Sequence, residues 1–92
     1  MIREWRYSVN DCSIGNVTIS DVPCLVKGWV MNTTNSASCE LLDDSTTVVR
    51  IAASITQGDA RDYDGLRFET NLKLNCSGTG EILVLYDELE RS

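Results

Sequence analysis

The chain has 92 residues, enough for one domain with a single modest core. Its 8 basic and 14 acidic side chains leave a net charge of −6, which repels a phosphate backbone and argues against a nucleic-acid partner. There is no histidine, so the commonest general base and neutral metal ligand is missing, and apolar runs such as residues 82–85 are far too short to cross a bilayer.

Taken in chain order, the residues lack helical periodicity. Short runs rich in Val, Ile, Thr and aromatic residues recur instead, divided by Gly, Asn, Asp and Ser. The first, over residues 4–8, lies in a charged, aromatic segment that also shows no secretory leader. Residues 1–12 are read either as an N-terminal arm that packs on a neighbour, anchored by Trp5 and Tyr7, or as an ordinary edge strand. Strands are then expected over residues 13–20, 24–32, 37–42, 47–53, 66–70, 72–76 and 82–87. Their dividers are residues 21–23, 33–36, 43–45, 57–65 and 77–80, and a polar tail follows at 88–92. Turn signals about every 8–12 residues predict an all-β fold. The expected architecture is a single antiparallel β-sandwich or jelly-roll-like domain of seven to eight short strands, occupying residues 13–87.

Strand phase assigns faces. In the third strand strict alternation puts Cys24, Val26, Gly28 and Val30 inward, and Leu25, Lys27, Trp29 and Met31 on a half-wet outer face. In the fifth, Val49 and Ile51 share a face with Ala53 and Ile55, opposed by Arg50. In the sixth, Leu66 and Phe68 oppose Arg67 and Glu69. The last strand has Ile82, Val84 and Tyr86 on one side and Leu83 and Leu85 on the other. Apolar residues on both faces mark a strand covered twice, either within the domain or by a second subunit.

The four cysteines, Cys12, Cys24, Cys39 and Cys76, show no C-x-x-C pair, which speaks against a zinc knuckle or a thioredoxin-type redox motif. An even count allows two disulfides in three connectivities. Three of the four fall in phase with apolar neighbours, which favours buried free thiols and a reducing compartment. Sequons at Asn16, Asn32 and Asn75 carry little weight without a leader.

Candidate chemistry is sparse. The stretch Asp59 to Gly65 has the Asp62, Asp64 and Gly65 of a calcium loop, but Ala60 falls where that loop needs an oxygen ligand and Asn71 where it needs a bidentate Glu. A solvated loop with carboxylates paired to Arg61 accounts for it. Asp43-Asp44-Ser45 is a turn signature, because Asp tolerates the left-handed region. Ser77-Gly78-Thr79-Gly80 reads as a hairpin turn and lacks the third Gly of a phosphate cradle. No nucleophile has a flanking base motif, so neither an enzyme nor a cofactor or metal is expected.

The order of elements from Val22 to Tyr86 resembles small structural proteins of tailed bacteriophages. The likeness rests on the run from Leu25 to Asn32, on Cys39-Glu40-Leu41-Leu42-Asp43, on Leu66-Arg67-Phe68 and on Leu72-Lys73-Leu74. It closes with the run from Ser77 to Tyr86. The pattern's usual Tyr before Asp is Leu42 here. The resemblance implies a non-enzymatic virion component, a capsid decoration (cement) protein of β-sandwich or jelly-roll type. It would be assembled in the host cytoplasm, form a homo-oligomer with a trimer favoured, and have the major capsid protein as partner. Trp29, Met31, Leu83 and Leu85 are the interface candidates, with Trp5 and Tyr7 as arm anchors. Two other readings stay open: a small acidic inhibitor of a basic host site, contacting it through Asp59, Asp62 and Asp64, and a secreted, disulfide-bonded ligand-binding sandwich.

Overall fold

The computed structural model describes residues 5–89. The strands are β1 (Arg6–Asp11), β2 (Asn16–Ser20), β3 (Cys24–Thr33), β4 (Cys39–Asp43), β5 (Thr46–Ile51), β6 (Ala60–Phe68), β7 (Leu72–Cys76) and β8 (Glu81–Glu88), with a 3-10 turn, Cys12–Ile14, after β1. They form two antiparallel four-stranded sheets, β1-β8-β3-β6 (sheet A) and β2-β7-β4-β5 (sheet B). First pairs with last, second with seventh, third with sixth and fourth with fifth. A ribbon folded back on itself at β4–β5 and wrapped into two sheets gives that order, which is the jelly roll. The slab is only 17 Å through its thinnest direction, as expected for two sheets packed about 10 Å apart.

Alternation supplies the core from both inner faces. Sheet A contributes Cys24, Val26, Trp29, Met31, Phe68, Ile82, Val84 and Tyr86; sheet B contributes Cys39, Leu41, Val49, Ile51, Leu72, Leu74 and Cys76. The buried indole of Trp29 donates through Nε1 to the Tyr63 hydroxyl at 3.0 Å, which satisfies its polar atom.

Several expectations change. Trp29 and Met31, expected outside, lie in the core at 5% and 0% exposure, while Val30 turns outward. The cause is a β-bulge: Val26 faces Tyr86 and Gly28 faces Leu85, so Lys27 is an extra residue with no partner on β8. One inserted residue reverses the phase of all that follow. Gly28 is required there, because any Cβ would run into the Arg61 carbonyl oxygen.

Residues 60–65, expected to be loop, belong to β6. Asp64 and Gly65 take positive φ of 56° and 97°, forming the irregularity opposite Lys27 on an edge strand. Charge and a bulge on an edge block further pairing, so these breakers interrupt the ladder without ending the strand. Ser77–Gly80 is no hairpin, since β7 and β8 lie in different sheets and the segment crosses between them. Residues 6–11 form the edge strand β1 inside the sandwich, so its first strand lies before the expected boundary at 13. Glu88 ends β8 and the Leu89 N–H donates to the Pro23 carbonyl, which places the start of the expected polar tail within the fold. The rest of that tail and residues 1–4 of the expected arm lie outside the described residues.

The cysteines divide. Cys39 and Cys76, directly opposite on β4 and β7 with Cα atoms 4.4 Å apart, form a disulfide, where free thiols were expected. Cys12 and Cys24 are buried and free. The Asp44 turn is as expected, with φ 57°, and it closes the β4–β5 hairpin.

Candidate functional site

The two outer faces differ in kind. On sheet B the registers align Asn16, Asn75, Glu40 and Arg50 in one row, and Thr18, Lys73, Leu42 and Thr47 in the next. This is the polar face expected of an antiparallel sheet in water. It carries an open trough of about 420 Å³ lined by Asn16, Val17, Thr18, Leu42, Asp44, Ser45 and Lys73.

On sheet A the corresponding row is Val9, Leu83, Val30 and Ala60, one residue from each strand and all apolar. The adjoining row is Tyr7, Leu85, Gly28 and Asp62. Tyr7 is 69% exposed and Val9 49%, while Leu83, Leu85 and Val30 are half-buried. Between Leu85, Val30, Ala60 and Gly28 lies a shallow hollow of about 220 Å³, with Lys27, Arg61 and Asp62 at its rim. The bulge at Lys27 therefore does two things: it sends Trp29 inward and it brings Val30 out to complete the apolar row. Contiguous apolar patches of this kind mark interaction surfaces, whereas scattered single residues do not.

Charges border this face: Lys27 meets Asp62 at 3.5 Å and Arg67 meets Glu69 at 3.1 Å, and Asp11 stands opposite Glu81 in the row beyond Val9 and Leu83. The Lys27 ammonium also sits 5.6 Å from the centre of the Trp5 ring, within cation–π range. Since β8 lies between β1 and β3, this contact carries Trp5 across β8 toward β3.

Of the interface residues expected from sequence, Tyr7, Leu83 and Leu85 come together here, and Trp5 joins them through Lys27. Trp29 and Met31 do not. Val9, Val30 and Ala60 were missed; Val9 was readable from its i, i+2 spacing with Tyr7, but Val30 depends on the bulge.

Other candidate chemistry resolves locally. Asp62 accepts the Asp64 N–H at 2.8 Å through one oxygen and pairs with Lys27 through the other, so the supposed calcium loop is a strand with an engaged carboxylate. Among the described residues, the group of His, Cys, Asp or Glu side chains close enough to share an ion is Cys12, Cys39 and Cys76. A soft, thiolate-preferring ion would fit such donors, but only with the Cys39–Cys76 bond reduced. No helix of the described residues is long and apolar enough to cross a membrane. Neither family models, curated proteins nor solved structures give a match to the chain.

Proposed function

We propose that this chain is a non-enzymatic virion component, a capsid decoration protein that forms a closed trimer and stabilises the assembled major-capsid lattice. The observation that carries the reading is the apolar row Val9, Leu83, Val30 and Ala60 with Tyr7 and Leu85 beside it. The proposed cover for that face is a neighbouring copy in the trimer, since closed symmetric assembly is the usual way to bury such a surface. Of the charges beside the hollow, Lys27 and Asp62 are already paired within each copy, which lowers the charge cost of self-association there. A domain that binds only the assembled lattice shifts assembly toward it by mass action, and three linked copies add avidity. The jelly-roll topology agrees with the likeness to small phage structural proteins, although a fold by itself hosts many functions.

Sedimentation tests the partner. Mixed with the major capsid protein encoded by the same genome, the chain should pellet with assembled shells and stay in the supernatant with unassembled subunits. Equal binding to free subunits, or none to shells, contradicts the reading.

One observation favours a second reading. The Cys39–Cys76 disulfide suits an oxidising setting, as a secreted ligand-binding sandwich would have, with the hollow beside Gly28 as its site. Saturable binding of a small ligand, lost in Leu85→Asp, would support that alternative.

A further inference from the structure

Three of the four sulfurs meet at one end of the sandwich. Cys12 follows β1 where the chain passes from sheet A to sheet B, Cys39 begins β4 and Cys76 ends β7. Their Sγ atoms all lie within 4.8 Å of one another, all three residues are buried, and Cys39 Sγ is 3.9 Å from Cys12 Sγ. A buried free thiol thus sits against one sulfur of a formed disulfide.

We propose that Cys12 is an internal exchange partner of this disulfide, so that the chain holds two interconvertible linkages, Cys39–Cys76 and Cys12–Cys39. In the forward step Cys12, as thiolate, forms a bond from its Sγ to Cys39 Sγ. The Cys39–Cys76 bond breaks, its electron pair leaves on Cys76 Sγ, and Cys76 takes up a proton in place of the one Cys12 lost. One disulfide and one thiol are present before and after, so no outside oxidant or reductant is consumed.

The two linkages have different mechanical meaning. Cys39–Cys76 joins neighbouring strands that the β4–β7 ladder already holds. Cys12–Cys39 staples the end of β1, a strand of sheet A, to sheet B. The sequence separations, 37 for Cys39–Cys76 and 27 for Cys12–Cys39, are close enough that chain entropy strongly favours neither. Exchange would thereby fix or release the strand that carries Tyr7 and Val9. The groups facing Cys12 set its pace. Burial chiefly, then the charges of Asp11 on its own segment and Glu81 on β8, hold its thiol above the ordinary range. The neutral thiol is the resting form and attack quickens with rising pH.

The test is linkage mapping on the whole protein, held without reductant at pH 7 and pH 9 and then capped with N-ethylmaleimide in acidic denaturant. Cleavage after Lys27, Arg50 and Lys73 puts Cys39 and Cys76 on separate peptides, and fragmentation separates Cys12 from Cys24. Both linkages should be found, with Cys12–Cys39 appearing at least about tenfold faster at pH 9. In Cys76→Ser treated with oxidised glutathione, Cys12 should pair with Cys39. Wild type showing Cys39–Cys76 alone at both pH values overturns the proposal. So does a folded Cys76→Ser chain with Cys12 and Cys39 both capped; if that variant fails to fold, the wild-type mapping decides.

Discussion

Val26 and Trp29 face the same core from one strand although two residues lie between them, a spacing that plain alternation would put on opposite faces, because Lys27 is bulged out of the β3–β8 ladder. The bulge is what makes the inner face of sheet A continuous and its outer face apolar.

The first prediction follows directly. Met31→Ala removes a fully buried side chain and should cost about 2–5 kcal/mol of stability. Thr18→Ala, exposed on the outer face of sheet B, should cost well under half as much. Denaturant titration of both variants decides; equal losses would mean that the two faces are not distinguished as described.

A second concerns Asn35, 1% exposed. Its Nδ2 donates to the Ala37 and Ala52 carbonyls, each at 2.8 Å, and its Oδ1 accepts the Ile55 N–H at 2.8 Å. Asn35→Ala should cost about 1–3 kcal/mol by leaving these buried backbone groups unpaired. Asn35→Asp should cost more at pH 7 than at pH 4, because a carboxylate cannot donate to two carbonyls. Thermal melts of both variants at the two pH values test the ordering.

Asp43 supplies a pH dependence. Burial alone would raise its carboxyl, but the Glu69, Thr70 and Asn71 N–H donors outweigh it and the net direction is down. A folded-state pKa below the unfolded value, about 3.9, stabilises fully above that value. The contribution is lost as pH falls through the folded pKa. Asp43→Ala should therefore cost about 1–2 kcal/mol at pH 7, as loss of a capping carboxylate does, and the gap to wild type should narrow as pH falls through the lowered folded-state pKa.

The disulfide has a count attached. Denatured without reductant, the chain should titrate two thiols, Cys24 and whichever of Cys12 and Cys76 stands outside the bond to Cys39, and after reduction all four. Reduction should lower stability by roughly 2–4 kcal/mol. Four reactive thiols before reduction would contradict the pairing.

Much of the fold was legible because it rests on period-2 alternation, which short-range reading captures: the Leu72, Leu74, Cys76 face and the Ile82, Val84, Tyr86 face are buried as alternation requires. What escaped was every feature set by a partner strand. The bulge at Lys27 is defined only against Tyr86 and Leu85, so neither the burial of Met31 nor the exposure of Val30 could be read from β3 itself. The Cys39–Cys76 pairing needs the β4–β7 register. Gly65 and Asp64 looked like loop because breakers on an edge strand are indistinguishable locally from breakers between strands. On the candidate face, Leu83 and Leu85 were legible from phase alone, while Tyr7, read as an arm anchor, joins them through the unshifted β1–β8 register.

The most direct test of the outer face as an interface is native mass by light scattering, from micromolar to nanomolar concentration, for wild type and Leu85→Asp. The account predicts a wild-type particle of about three times the 10.2 kDa chain that survives dilution, and a folded, monomeric Leu85→Asp. A wild-type monomer at every concentration, or a Leu85→Asp trimer as stable as wild type, would contradict it.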